Sequence, residues 1–312
     1  MFLQKNKLIY TNIQEHPYFL VTPSIIPILT SISVLFFVTE IINFFNIFSN
    51  VWALLLSYLT LTAILFEWFR NVSKESKYHT KLIQFNNKVA FMFFISTEVM
   101  FFFSLFWAFF HGSFSPAVAF NNLWPPQGIT IINAFGPPIW GTWVLWMSSI
   151  FGLYVKDLIL FDFRFNKNKI IQSYKVLLVL AVLFTICQLC EFYLATFSFR
   201  EGLYGSIFYL LTGFHGIHVI IGSIFLLICW FRICAEFFGC KAKPKANREY
   251  FIFSRNTFAI EFEEDKIWNP KHYSGLQASI WYWQFVDIVW IFVWSIIYIW
   301  GNNSFPFTII VD

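Results

Sequence analysis

Residues 204–231 read YGSIFYLLTGFHGIHVIIGSIFLLICWF and contain no Asp, Glu, Lys or Arg. A transmembrane helix needs about 20 consecutive, mostly apolar residues, and the greater length of this stretch implies a tilted helix. The whole chain has the same character: 58% of its 312 residues are hydrophobic and only 12% are charged. A soluble domain carries about twice that charged share. Much of the protein surface must therefore face something other than water.

Six further windows of similar character lie on either side of this stretch. Together they predict an all-α polytopic membrane protein, a single membrane domain over residues 1–312 with seven transmembrane helices. The predicted spans are residues 24–45, 51–69, 89–110, 135–155, 176–197, 204–231 and 276–300.

The distribution of basic residues gives an independent check on this topology. All but one of the 21 Lys and Arg residues fall in the N-terminal tail or in the connections after the second, fourth and sixth spans. The exception is Arg200. Because Lys and Arg accumulate in loops on the inner side, the N-terminus is predicted inside and the C-terminus outside. The net charge of +4 then describes one face of a membrane protein, and no nucleic-acid partner is expected.

Three carboxyl groups are predicted at membrane depth, where an ionisable side chain is costly and marks a functional hypothesis. They are Glu98, Glu191 and Asp287. Glu98 stands near the middle of the third span, within FFISTEVMFFF, and is expected to resist ionisation in this apolar setting. Two roles remain open for it: a proton carrier, or a neutral carboxyl that hydrogen-bonds to a neighbouring helix. Asp287 also requires a partner.

The sixth span carries His215 and His218, whose spacing of three residues places both rings on one helical face. A metal or a haem is one interpretation, but such centres usually need more ligands and the chain has only six His residues. We therefore expect no metal site and no catalytic residue here. Interhelical hydrogen bonding is the preferred role, with Glu191 as a suggested partner. Gln188 lies three residues before Glu191, on the same face of the fifth span, and is expected to take part.

A basic and aromatic cluster, residues 67–76, follows the second span at the predicted inner headgroup level. Such a cluster suits an anionic lipid headgroup. Snorkelling of long charged side chains is the alternative. Arg232, at the end of the sixth span, is predicted at the same depth, which favours lipid binding.

The connection between the sixth and seventh spans, residues 235–274, is far longer than a helix hairpin requires. A Lys-rich beginning is followed by an acidic cluster from Glu261 to Asp265. A solvated loop and a docking surface for another protein both remain open. The aromatic and aliphatic side chains of this loop favour an ordered segment that another subunit covers.

Motifs along almost the whole chain, from His16 to Gly301, resemble subunit III of the haem–copper cytochrome c oxidases. The most specific are WFRN at residues 68–71, ISTEV at 95–99, FWAFFH at 106–111, GFHGIHVIIG at 213–222 and WYW with FVD within 281–287. This resemblance implies a core subunit of the terminal respiratory oxidase, which passes electrons from cytochrome c to O₂ and pumps protons. The location it implies is the mitochondrial inner membrane, with the N-terminus in the matrix and an organelle-encoded gene. A bacterial plasma membrane is the alternative.

The resemblance also implies partners, ligands and site residues. Haem and copper would belong to subunits I and II, while this chain would support proton uptake, assembly and durability without a cofactor of its own. Phospholipids (cardiolipin, phosphatidylethanolamine or phosphatidylglycerol) would fill a cleft between helices 1–2, about residues 24–69, and helices 3–7, about residues 89–301. Accessory subunits on the matrix side would contact residues 235–274, and membership of a respiratory supercomplex is left open. Glu98 matches the carbodiimide-reactive glutamate of the family. The lipid-binding residues would be Trp68, Arg70, Lys74, Glu75, His79 and Arg232.

Two departures and two competing functions accompany this interpretation. Gln284 stands where the family commonly has His, and the long loop is expanded. A proton-coupled secondary transporter using the three membrane carboxyls would be expected to show inverted repeats and broken helices, and the sequence shows neither. A haem-binding membrane oxidoreductase using His215 and His218 is the second alternative.

Overall fold

Seven α-helices contain most of the described residues, and no described residue lies in a β-strand. The computed structural model describes residues 18–19, 23–46, 50–75, 79–116, 123–126, 128–161, 167–239 and 274–301. The helices are α1 (Ile26–Asn46), α2 (Val51–Glu75), α3 (Lys81–Phe114), α4 (Pro137–Phe161), α5 (Lys167–Leu194), α6 (Gly202–Gly239) and α7 (Ser274–Val293). A π-helical segment, Trp294–Trp300, continues α7. The predicted all-α architecture is confirmed.

Six of these helices are long and apolar enough to cross a membrane, and α4 is outside this set. Its 25 residues correspond to about 37 Å of helix, which is sufficient length. Its mean hydropathy is reduced by Trp140, Trp143 and Trp146 and by the charged pair Lys156 and Asp157. The prediction of seven spans is therefore confirmed for six helices. The remaining predicted span, α4, is present as a helix.

Several helices extend beyond the predicted spans at the ends predicted to face inward. α2 ends at Glu75 instead of residue 69, α3 begins at Lys81 instead of 89, and α6 continues to Gly239 instead of 231. The apolar run ends at the first charged side chain. The helix continues further, because a long basic side chain can extend to the membrane surface while its backbone stays helical. Residues 235–239, predicted as the start of the long loop, are thus helical. Residues 240–273 of that loop lie outside the described residues.

The described residues up to Val89 form one compact unit in which α1 packs against α2. Small hydroxyl side chains are buried in this unit, namely Thr30, Ser33 and Ser57. Each donates its hydroxyl hydrogen to a backbone carbonyl three or four residues earlier in its own helix. Small side chains let two helices approach closely in lipid, and these hydroxyls are satisfied without a partner on the other helix.

The described residues from Ala90 onward form the second compact unit, and α7 is the most buried of its candidate spans. Its tryptophans fix it to α4. The indole N–H groups of Trp283 and Trp290 donate to the hydroxyls of Ser148 and Thr142, both at 2.9 Å. Trp294 donates in the same way to a backbone carbonyl just before α4, at 3.1 Å. Buried indole N–H groups need acceptors, and these bonds set the rotation of α7 against α4.

α6 packs against α7 at a glycine. A Cβ atom built on Gly222 would lie 3.1 Å from a ring carbon of Trp283 and 3.3 Å from the ring of Tyr282. The absence of a side chain at this position allows the two aromatic rings to lie directly on the α6 backbone.

Large apolar side chains cover the outside of the helices. Trp52, Phe93, Met100, Trp140 and Tyr193 each keep more than two thirds of their surface exposed. A water-soluble protein rarely exposes apolar surface on this scale. The pattern agrees with helices that face lipid or other membrane subunits.

Candidate functional site

Glu98 of α3 and His218 of α6 form a hydrogen-bonded pair between two helices. The Oε2 atom of Glu98 lies 2.9 Å from Nε2 of His218. Aromatic rings flank the imidazole, with the Phe102 ring centroid at 5.0 Å and the Tyr282 ring stacked at 6.3 Å. The Glu98 side chain keeps 24% of its exposure and that of His218 keeps 11%. The carboxyl group therefore lies at the edge of the packed interior.

The contact of the second ring nitrogen of His218 determines which atoms of the Glu98–His218 pair can carry a hydrogen. Nδ1 of His218 lies 2.7 Å from the backbone oxygen of Phe214. A carbonyl oxygen only accepts, so Nδ1 carries a hydrogen. If His218 is neutral, its Nε2 has no hydrogen and the Glu98 carboxyl must donate one. If Glu98 is ionised, the hydrogen lies on Nε2. In both arrangements the two groups share one proton and carry no net charge, which avoids burying an isolated charge.

His215, one turn before His218, is fully buried and faces a different helix. Its Nε2 lies 3.2 Å from the backbone oxygen of Val286 in α7 and donates to it. The rings of Phe184 and Trp290 pack against the imidazole with centroids at 5.7 and 5.0 Å. The two histidines therefore connect α6 to two neighbours, α7 and α3. Among the described residues, no group of three or more His, Cys, Asp or Glu side chains is arranged to hold a metal ion.

Glu191 of α5 has a different partner from the one suggested by the sequence. The hydroxyl of Tyr298, in the π-helical segment, donates a hydrogen bond to Glu191 Oε1. The suggested hydrogen bond from His215 or His218 to Glu191 is wrong, because those imidazoles are turned toward α7 and α3. Gln188 is buried three residues earlier on α5. Both polar atoms of its side-chain amide lack a hydrogen-bond partner among the described residues.

Asp287, near the middle of α7, is buried beside Ser149 of α4. The Ser149 hydroxyl and Asp287 Oδ1 both lack a hydrogen-bond partner within the described parts of the chain. The helix that faces Asp287 is therefore α4, the same helix to which Trp283 and Trp290 are bonded.

The predicted lipid-binding residues of α2 lie at its C-terminal end and just beyond it. Arg70 forms an ion pair with Glu67 at 3.0 Å, and both side chains are about half exposed. The His79 ring packs against Phe19, with centroids 5.3 Å apart. Burial lowers the pKa of His79, while the nearby Glu75 carboxylate acts in the opposite direction. The members of the predicted set found at this end are Trp68, Arg70, Glu75 and His79.

The two remaining members of that set are Lys74 and Arg232. The Lys74 backbone belongs to the last turns of α2, but its side chain is outside the described residues. Arg232 lies on α6, in the second unit, and is exposed.

Sequence reasoning missed Tyr298 and the two hydroxyl acceptors of the α7 tryptophans, Ser148 and Thr142. A tyrosine among many aromatic residues gives no signal by itself. The acceptors have a weak signal, because hydroxyl side chains in an apolar span often serve indole or imidazole donors on a neighbouring helix.

These observations define a class: a multi-span helical membrane protein in which buried carboxyl, imidazole and indole groups are paired between helices. Comparison with known proteins identifies the family. The sequence model for Cytochrome c oxidase subunit III matches residues 16–244 and 258–302. The chain belongs to the cytochrome c oxidase subunit III family, and it is therefore a subunit of a multisubunit oxidoreductase of the respiratory chain.

Individual relatives agree over nearly the whole length. Cytochrome c oxidase subunit 3 of Homo sapiens is 34% identical over 292 residues, covering 93% of this chain and 99% of the relative. The Prototheca wickerhamii protein of the same name is 34% identical over 293 residues, with the same two coverages. That of Paracentrotus lividus is 35% identical over 291 residues, covering 92% of this chain and 98% of the relative.

The resemblance inferred from the motifs is thus confirmed. The transporter and haem-oxidoreductase interpretations are replaced by membership of this family. Residues 245–257, inside the predicted long loop, fall between the two matched ranges. This gap fits the expected expansion of that loop.

Proposed function

We propose that this chain is a non-catalytic core subunit of the oxidase, bound to subunits I and II, which would hold the haem and copper. It supports proton uptake, assembly and durability of the enzyme in the mitochondrial inner membrane. The Glu98–His218 pair is the observation that carries this proposal. Its shared proton can move between carboxyl and imidazole along one 2.9 Å hydrogen bond without creating net charge. The partly exposed carboxyl keeps that proton within reach of a neighbouring group.

The proposed orientation has the N-terminus in the matrix and the C-terminus on the outer side, with all seven helices crossing the membrane. The Lys and Arg distribution supports it. So do the observed helix ends, since α2, α3 and α6 extend past their apolar runs at the ends that carry basic residues.

Lipid binding is proposed at the matrix end of α2 and α6. Exposed Arg70 and the ring of His79 supply the positive and polar contacts that a phospholipid headgroup requires, with Lys74 and Arg232 expected to add charge. The acyl chains of cardiolipin, phosphatidylethanolamine or phosphatidylglycerol would then fill a cleft between helices 1–2 and helices 3–7. Contact between residues 235–274 and accessory matrix subunits remains a further part of the proposal.

Glu98→Gln in the assembled oxidase tests the central part of this proposal. Glutamine keeps the hydrogen bond to His218 but cannot release the shared proton. We expect the initial rate of oxygen reduction to stay largely intact, whereas the number of turnovers before inactivation falls. Oxygen consumption by the purified complex measures both quantities. Glu201→Gln, the same chemical change at an exposed carboxyl, is the matched control and should change neither.

A complete loss of oxygen reduction in fully assembled Glu98→Gln enzyme with a normal haem spectrum would contradict a non-catalytic role. If the enzyme completes the same number of turnovers before inactivation as the unmodified enzyme, Glu98 has no role in proton uptake.

A further inference from the structure

The side-chain amide of Gln188 is buried in an apolar interior and is unsatisfied on both its oxygen and its nitrogen within the described residues. An amide can donate two hydrogen bonds and accept two. Leaving all of them unmade in a hydrocarbon-like interior is unfavourable, and buried polar groups in native structures almost always find a partner. The position of Gln188 therefore calls for a partner that the described residues do not supply.

Two other polar groups lie near the amide. Glu191 lies on the same face of α5, one turn later. The hydroxyl of Tyr298 donates to one Glu191 oxygen and approaches the Gln188 amide without making a hydrogen bond to it. The Tyr298 ring also packs against aromatic rings, with the centroids of Phe208 and Trp290 at 5.6 and 6.1 Å. The three polar groups thus form a small cluster enclosed by apolar side chains.

The backbone at this cluster is also unusual. Tyr298 belongs to the π-helical segment that continues α7, and such segments occur frequently at functional sites. The wider turn rotates residues after Val293 relative to a continuous α-helix. This rotation brings the tyrosine hydroxyl to Glu191.

We propose that Gln188, Glu191 and Tyr298 form a hydrated site that binds an internal water molecule. Water fits the donors and acceptors: it accepts from the amide N–H of Gln188 and donates to the free oxygen of Glu191 or to the amide oxygen. Internal waters typically make about three hydrogen bonds of this kind. The bound water gives the Glu191 carboxyl a second hydrogen-bonding partner inside the membrane-spanning part of the subunit. This site is distinct from the Glu98–His218 pair and does not depend on its role.

A structure of the intact oxidase complex at a resolution that shows ordered water tests the site directly. We expect a density peak within hydrogen-bonding distance of both the Gln188 amide and the Glu191 carboxyl. A Gln188 amide bonded directly to protein groups, or a site closed by apolar packing without water, would overturn the proposal.

The thermal midpoint of the Gln188→Leu complex gives an independent answer. If the amide is a dry, unsatisfied group, leucine relieves an unfavourable burial and the midpoint rises. If the amide holds water in a satisfied network, leucine breaks the network and the midpoint falls, which is our expectation. Gln284→Leu makes the same change at a half-buried position on α7 and should not lower the midpoint. If the Gln188→Leu chain fails to assemble, the structure of the unmodified complex still decides.

Discussion

The Glu98–His218 hydrogen bond connects α3 to α6 through one shared proton. Glu98→Leu leaves Nε2 of His218 without a partner, and we expect a loss of about 1–3 kcal/mol in unfolding free energy. Glu98→Gln retains an N–H donor for Nε2 and should lose only about 1 kcal/mol. Because removing both partners leaves no orphaned group, Glu98→Leu with His218→Leu should lose less than the sum of the single changes. Denaturation of the assembled complex measures these differences, and strictly additive losses would mean that the pair is not coupled.

Sequence reasoning could single out these polar residues but could not pair them. Hydropathy shows which residues lie at membrane depth, so Glu98, Glu191 and Asp287 all emerged as carboxyl groups that need partners. The partner depends on how each helix is rotated about its axis, which an almost uniformly apolar sequence does not specify. His218 therefore bonds to Glu98, while Glu191 bonds to Tyr298.

The contact between α6 and α7 depends on the absence of a side chain at Gly222. Gly222→Ala would place a methyl group 3.1 Å from the ring of Trp283, which is itself held by its hydrogen bond to Ser148. We expect a destabilisation of about 1–3 kcal/mol, because overpacking in a close-packed interior displaces side chains. The thermal midpoint of the assembled complex measures the effect.

Gly216→Ala is the matched control on the same helix. A Cβ at Gly216 meets no atom within 4 Å in the described structure, and alanine favours a helix more than glycine does. The control should therefore be neutral or slightly stabilising within this chain. Equal destabilisation by both changes would mean that Gly222 has no special role in the α6–α7 contact.

The helices themselves were largely predictable, since long apolar runs admit few other structures in a membrane. Their ends were not, because α2, α3 and α6 continue past the first charged side chains. Tryptophan residues in a membrane helix suit either a rigid packing surface or an interfacial belt. Trp283 and Trp290 are buried and bonded to α4, which fits the packing surface.

The orientation of the whole molecule is a prediction from its basic residues. Cys240, in the loop outside the described residues, should react with a membrane-impermeant thiol reagent only from the matrix side. The experiment requires a chain in which the other four cysteines are replaced by serine. Arg200→Cys in a chain with all five native cysteines replaced by serine is the control, because the connection after the fifth span should react only from the opposite side. Labelling of Cys240 from the outer side would reverse the proposed topology.

Large apolar side chains lie on the outer faces of the subunit. Trp140 and Tyr193 are examples of exposed apolar side chains. Contact with lipid and contact with a partner helix both favour apolar side chains at such positions. The same surface therefore suits both lipid and the helices of other oxidase subunits.

The central claim is that this chain supports the oxidase without holding its redox centres. Removing the chain from the purified complex and following haem absorption together with oxygen consumption tests that claim most directly. We predict that the haem bands and the initial rate of oxygen reduction stay with the remaining subunits, while the depleted enzyme inactivates after fewer turnovers and regains its lifetime when the chain is added back. Haem absorption that leaves with this chain, or a lifetime that does not change on its removal, would contradict the account.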